Sequence, residues 1–318
     1  MIKNIPKLIS VKKIWWKSKH NAMTDLIRYK NRWFCVFRES TKHVYGRNGT
    51  IRLIVSDDGN TWKSIAHFKE KGVDLRDPKL SITPDGRLMI LVGGTIYAGK
   101  KYISWQSRVA FSEDGKKWTA FQLVVKPYEW LWRVTWHKGK AYGVSYSYAN
   151  VENKREGRNV KLFESKDGLD YKFIAQWPID KYPSETTLHF LEDDSMLALV
   201  RRDDPSESCA WMGLSQPPYK HWSWETTHGY LGGPNFIILP DKRMFAAGRV
   251  RMFSPYGHFE KTILAELSLF DFKPVVILPS FGDSSYPGLV YHEGELWMSY
   301  YSTHEDDTTS VYLAKFAV

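Results

Sequence analysis

Short apolar stretches alternate with polar turns along this chain, and the alternation recurs at a nearly fixed interval. Six segments share one pattern: a polar lead, an apolar strand, a tight turn and a second apolar strand. They run from residues 24–29 into 33–37, 77–82 into 88–92, 132–136 into 141–144, 185–190 into 196–200, 234–238 into 244–247, and 286–291 into 296–299. With Leu26, Leu80, Val134, Leu188, Phe236 and Leu289 as equivalent positions, the spacings are 54, 54, 54, 48 and 53 residues. The turns, among them Pro84-Asp85-Gly86, Lys138-Gly139 and Glu293-Gly294, carry hairpin chemistry. Six hairpin units of this length predict an all-β fold, a six-bladed β-propeller with about four strands per blade. No linker or shift of composition interrupts the series, so residues 1–318 are expected to form one propeller domain. The sixth unit ends on a third strand at residues 311–316, while residues 8–16 have no other home. That N-terminal strand is therefore expected to complete the last blade.

Composition supports the strand reading. The chain holds 14 Trp, 18 Tyr and 16 Phe, and aromatic enrichment suits strands better than helices. Mean hydropathy is -0.42, and no apolar run approaches the roughly 18 residues of a membrane span, so no membrane partner is expected. Residues 1–16 alternate Lys with Ile, Leu and Val and do not read as a signal peptide, which makes a cytoplasmic location the default expectation. Cys35 and Cys209 form neither a disulfide framework nor a metal-type spacing, and neither a metal nor a cofactor is expected. A net charge of +10 favours anionic partners. The positive residues are spread along the whole chain without a basic block, which points away from nucleic acid and toward acidic saccharides.

A second marker follows the third strand of three units: Ser56-Asp57-Asp58-Gly59-Asn60-Thr61-Trp62, Ser112-Glu113-Asp114-Gly115-Lys116-Lys117-Trp118, and Ser165-Lys166-Asp167-Gly168-Leu169-Asp170-Tyr171. Asp can bond the turn backbone, Gly accepts a positive φ, and the aromatic can plug the space between blades. These turns resemble the Asp-boxes (BNR repeats) of the sialidase superfamily. Their role there is structural, and their carboxylates are not read as active-site acids.

Polar residues at the starts of the inner strands should converge on the central channel. Three residues before the equivalent apolar position stand Asp77, Glu185 and Tyr286, and one residue before it stand Asp25, Lys79, Arg133 and Asn235. With a strand period of two, both sets are expected on one face, lining one pocket. Arg38, Arg76, Arg201, Arg249 and Tyr301 lie at or near strand ends and, with Asp25, Arg133 and Asn235, are expected to help bind substrate, the five arginines gripping an anionic sugar through bidentate contacts. Trp105, Trp130, Trp132 and Tyr301 are candidates for stacking on sugar rings.

The sialidase resemblance extends over nearly the whole chain at low similarity. Residues 285–300 and the terminal Tyr312-Leu313-Ala314-Lys315-Phe316 resemble that family's last blade. The resemblance places Tyr286 at the tyrosine nucleophile and Glu185 at the glutamate that activates it, with Arg201 at the end of the following strand. Three departures argue against a true neuraminidase. Ala22-Met23-Thr24 replaces the first-blade Arg-Ile-Pro, the loop at residues 41–48 supplies no acid/base aspartate, and residues 259–262 supply no third arginine. The implied function is a sialidase-like glycoside hydrolase acting on the end of an acidic or polar glycan. Asp77 with Glu185 offers a carboxylate pair, and His43 a proton donor near neutral pH. Two alternatives stay open: a non-catalytic glycan-binding propeller, and a polysaccharide lyase acting on uronic-acid sugars.

Overall fold

A computed structural model describes residues 5–148, 157–255 and 257–318. Among them the structure is all-β, without a helix, and its strands form six four-stranded antiparallel sheets. Strand β1 (Lys7–Trp15) stands apart from its sequence neighbours. Blade one is β2 (His20–Tyr29), β3 (Arg32–Ser40), β4 (Thr50–Ser56) and β5 (Lys63–Phe68); blade two is β6 (Asp74–Ile82), β7 (Leu88–Ala98), β8 (Lys101–Ser112) and β9 (Gln122–Val124). Blade three is β10 (Glu129–His137), β11 (Lys140–Ser147), β12 (Asn159–Ser165) and β13 (Tyr171–Trp177); blade four is β14 (Pro183–Phe190), β15 (Met196–Arg202), β16 (Trp211–Ser215) and β17 (Ser223–Thr226). Blade five is β18 (Gly232–Ile238), β19 (Met244–Ser254), β20 (Gly257–Leu267) and β21 (Phe272–Ile277). Blade six is β22 (Ser285–His292), β23 (Glu295–Ser302) and β24 (Ser310–Ala317), completed by β1 as its outermost strand. Inner strands of successive blades touch around the ring, and β22 touches β2 to close it. The N-terminal strand thus closes the last blade as the hydrophobic pattern predicts.

A propeller has no single central core, and the buried side chains show why this one is stable. Six hydrophobic clusters each span one joint between neighbouring blades; the joint of blades six and one, for example, packs Trp15, Leu26, Trp33, Trp297 and Val311. Strands buried on both faces need apolar residues on both, which accounts for near-continuous runs such as Met89-Ile90-Leu91-Val92. The Ser-x-Asp-Gly turns lock the same joints. Asp58 Oδ1 accepts the amides of Asn60 (2.8 Å) and Thr61 (3.0 Å), while Ser56 Oγ accepts the Gly59 amide at 2.8 Å. These amide hydrogen bonds hold the exposed Asp58 carboxyl down at about 2. Gly59 adopts a φ of 72°, and a Cβ there would run into the Trp297 ring of blade six at 2.3 Å. The aromatics of the turns fill the joints too: Trp118 packs edge-on against Phe68 of blade one at 5.4 Å.

Candidate active site

Every inner strand carries an irregularity near its start. The pairing register shifts between Ala22 and Asp25, Arg76 and Lys79, Leu131 and Val134, Pro183 and Thr186, Gly232 and Asn235, and Ser285 and Gly288. These are β-bulges, which interrupt the two-residue period. At four of them the residue three before the equivalent apolar position has a left-handed backbone: Met23 (φ 63°), Asp77 (50°), Gly233 (61°) and Tyr286 (51°). Three of those are not glycine, so the backbone holds strain at the channel mouth, of order 1–2 kcal/mol each.

The bulges divide the two polar sets that simple alternation would place together. Asp77, Glu185 and Tyr286 line a cavity of about 290 Å³ at the channel mouth. Asp25, Lys79, Arg133 and Asn235 do not line it, contrary to the expectation of one shared pocket, and three of them bind other parts of the chain. Arg133 Nη1 and Nη2 donate to the Asp25 carboxylate at 3.0–3.1 Å, and Asp25 Oδ2 also accepts the Leu80 amide at 2.8 Å. Asn235 donates to the Pro287 carbonyl at 3.0 Å. These contacts tie blades one, two, three, five and six together.

The centre of the cavity is a short hydrogen-bonded chain. Tyr286 donates its hydroxyl to Glu185 Oε1 at 2.6 Å. Glu185 Oε2 accepts Arg201 Nη1 at 2.7 Å and the Gly233 amide at 2.9 Å, so the carboxylate is held from both sides. Burial first, and then the neighbouring Glu185 carboxylate, push the Tyr286 phenol well above its ordinary value. It keeps its proton at neutral pH unless a base removes it. Asp77 is buried, its Oδ1 accepts no hydrogen bond from the described residues, and burial raises its pKa against the opposing pull of Arg76 and Lys79. The site therefore joins a phenol bound to a carboxylate with a separate carboxyl biased toward its protonated form.

The remaining sequence candidates are placed as follows. Arg76 reaches the cavity, as does Arg158, which the sequence reading did not single out. Arg76 Nη1 donates to Asp74 Oδ2 at 3.2 Å, Arg158 Nη1 to Asp203 Oδ2 at 3.0 Å, and Arg201 Nε to Asp203 Oδ1 at 2.7 Å. Arg38 is brought elsewhere, buried against Asp74 through Nε at 3.1 Å and Nη2 at 2.7 Å. Arg249 pairs with Glu260 at 3.0 Å and donates to the Ser284 carbonyl at 3.1 Å. Neither lines the cavity, so the expected ring of five substrate-gripping arginines does not assemble. Trp105 and Trp130 form part of the wall, whereas Trp132 lies buried beneath Tyr286, with ring centroids 5.4 Å apart. Tyr301 is fully buried and stacks on Tyr286 at 5.9 Å and 16°.

His43 belongs to a separate cluster beside the cavity. Its Nδ1 and His20 Nε2 both bond Asp283 Oδ2, at 2.8 and 2.7 Å, and Tyr301 donates to Oδ1 at 2.9 Å. Burial alone would raise the Asp283 pKa, but the bonds from His20 and His43 more than offset it and hold the carboxyl far below the usual range. Among the described residues these two histidines and Asp283 are the group whose donor atoms could hold a metal ion. As arranged, the carboxylate is already shared among three hydrogen bonds.

Sequence reasoning missed half of the cavity's lining. Tyr97, Tyr102, Tyr146 and Tyr148 line the cavity with the two tryptophans. They come from the long β7–β8 hairpin and from the end of β11, and the one signal for them was the clustering of Tyr at those strand ends.

No protein-family model matches the sequence, and no curated protein matches it. Solved structures do. A protein of unknown function from Dyadobacter fermentans DSM 18053 superposes with a TM-score of 0.81 at 18% identity, over 99% of this chain and 100% of its own. An α-L-arabinofuranosidase of Fusarium graminearum, solved as a point mutant with an iminosugar inhibitor, gives 0.71 at 13%, over 97% of each chain. Trypanosoma rangeli sialidase in complex with the inhibitor DANA gives 0.70 at 14%, over 94% of this chain and 55% of its own. The fold is the six-bladed β-propeller that these structures share. At these identities the likeness speaks for the scaffold, and the chemistry has to be argued from the cavity.

Proposed function

We propose that the protein is a retaining glycoside hydrolase that removes a terminal sugar from a polar glycan. The observation that carries this reading is the 2.6 Å hydrogen bond from Tyr286 to Glu185 on the cavity floor, with the raised carboxyl of Asp77 in the same cavity. In the first step Tyr286 Oη bonds the anomeric carbon while its proton passes to Glu185 Oε1. The glycosidic C–O bond breaks, and the leaving oxygen takes the proton of Asp77. In the second step a water gives a proton to the Asp77 carboxylate and its oxygen attacks the anomeric carbon. The tyrosine–carbon bond then breaks, and the phenolate recovers its proton from Glu185. A phenol that keeps its proton at neutral pH needs such a base, and Glu185 is the group bonded to it.

The cavity also argues for an uncharged terminal sugar. Arg158 and Arg201 are matched by Asp203 and Glu185, and Arg76 shares Asp74 with Arg38, so the cavity offers no group of free guanidinium ions to clamp a substrate carboxylate. A volume of about 290 Å³ suits one sugar unit, and the aromatic wall suits the apolar faces of its ring. The glycosidases among the structural neighbours support a sugar ligand. The test is a panel of aryl glycosides, with neutral pentosides and hexosides compared with uronides and sialosides. Turnover of a neutral member with retention supports the reading. An unsaturated product from a uronide would point to elimination, and binding of a sugar with no turnover of any member would leave a glycan-binding propeller.

A further inference from the structure

Part of the positive charge that the composition assigns to an anionic partner lies on the flank of blade one, on residues that do not line the Tyr286 cavity. A second cavity of about 510 Å³ lies there, with Lys17, Arg47, Arg52, His67 and Lys69 on its walls and Glu39 as its one acid. Glu39 is fully engaged: Oε1 accepts the Trp15 indole N–H at 2.8 Å, and Oε2 accepts Arg52 Nη2 at 2.8 Å and Nε at 3.1 Å. Lys17, Arg47 and Lys69 are exposed and form no ion pair with described residues. The concentration is strong enough to act on His67, whose pKa is lowered by burial first and then by Arg52, with Lys69 and Arg47 adding to it.

We propose that this cavity binds an acidic polysaccharide, through sulfate or carboxylate groups, as a second saccharide site distinct from the Tyr286 cavity. Three uncompensated cations around one concave surface match an anion-bearing chain, and the size falls within the range of ligand sites. Single-stranded nucleic acid fits less well, because a base needs an open aromatic face. The aromatic here, Trp15, is buried and carries Lys17 over its ring at 4.6 Å and Arg52 at 5.8 Å. The two cavities are also joined by one loop. Arg47 lines the basic cavity, while Tyr45, two residues earlier, packs edge-on against Tyr97 and Tyr102 of the aromatic wall at 5.8 and 6.4 Å. A polymer held at Arg47 would thus be held beside the mouth of the Tyr286 cavity.

The test measures binding in a Tyr286→Phe background, so that the result does not depend on turnover. Dextran sulfate and polygalacturonate serve as the two anionic probes, neutral dextran as the blank, and single-stranded RNA as the competitor. Binding of at least one anionic probe is expected to weaken as salt is raised. Arg47→Glu with Lys69→Glu is expected to weaken it by about tenfold or more. The charge-matched control Lys172→Glu with Lys220→Glu, two exposed positions on blades three and four, is expected to leave it unchanged. Equal weakening by both pairs would show a generic charge effect and overturn the proposal. So would no binding of either anionic probe, or tighter binding of RNA. Unchanged melting temperatures across the variants establish that folding is not the cause.

Discussion

The Lys79 ammonium lies 5.7 Å from the centroid of the Tyr286 ring and 4.6 Å from that of Trp132, buried below the cavity floor. Among the described residues its one hydrogen bond goes to the Pro78 carbonyl at 3.1 Å. Burial, followed by the repulsion of Arg133, brings its pKa from 10.5 down to about 8. Between these two values the unfolded chain holds a proton that the native protein has lost. Stability is therefore expected to rise with pH from about 8 toward 10, an unusual direction for this range. Chemical denaturation at a series of pH values would show the slope, and Lys79→Met should remove it. A parent protein whose stability is flat or falling between pH 8 and 10, with no difference from the variant, would contradict the assignment.

Tyr286→Phe and Glu185→Gln should each lower kcat/KM on an active glycoside by a factor on the order of 10²–10⁴. The double variant should be little worse than either, because the two groups act as one unit. Melting temperatures should stay close to the parent's, since each change is nearly isosteric. Normal turnover by Tyr286→Phe would exclude the tyrosine nucleophile and leave Asp77 and Glu185 as the working carboxylates.

Asp77 serves as an acid only while protonated, and its pKa is raised by burial. Activity on poor leaving groups should fall as pH rises through that elevated value. Asp77→Asn should flatten this alkaline limb and lose most turnover on alkyl glycosides, while a substrate with a strongly acidic phenol as leaving group keeps much of its first-step rate. Equal losses on both substrate types would show that Asp77 positions the sugar instead of protonating it.

Gly233 donates its amide to Glu185 from a φ of 61°, and a Cβ there would meet Ser285 Oγ at 2.9 Å and the Tyr286 ring at 3.1 Å. Alanine adds the left-handed backbone penalty, about 1–2 kcal/mol, and presses on the tyrosine. Gly233→Ala should therefore lower kcat more than it raises KM, and it should lower the melting temperature. A crystal structure of the variant with the Tyr286–Glu185 bond still at its parent length would refute this account.

Removing residues 1–16 would leave β24 as an unpaired edge and strip Ile14 and Trp15 from the joint of blades six and one. The truncated protein should melt at a lower temperature and aggregate. A separate peptide spanning the strand should restore part of the loss when added in excess. Identical melting of the two forms would show that the strand is dispensable.

The blade count and the closing strand were legible because each depends on hydrophobic period and spacing, which the chain displays without ambiguity. That Asp77, Glu185 and Tyr286 meet in one cavity was legible for a related reason: polar residues at one fixed offset in several apolar repeats converge where the repeats converge. The offset argument failed for Asp25, Lys79, Arg133 and Asn235 because it assumed unbroken strands, and a bulge is a backbone event that no residue type announces when Met23, Asp77 and Tyr286 occupy it. The arginines misled for another reason. Guanidinium at a strand end looks the same in sequence whether it awaits a substrate or already holds a carboxylate, even where that partner stands two residues away, as Asp74 does for Arg76 and Asp203 for Arg201.

The pairing of β1 with β24, Lys7 opposite Ala317, also fixes an order of events in the cell. The ribosome releases β1 before any blade exists, and its sheet partner β24 after the other blades have emerged. Five blades can assemble during synthesis, while the sixth waits for its two distant pieces and closes by a contact across nearly the whole chain. Such closure is slow, since a long loop must be fixed before the pairing compensates. Until then an apolar strand and an open sheet edge are exposed together, which makes the interval between synthesis and closure the period when this protein is most exposed to aggregation.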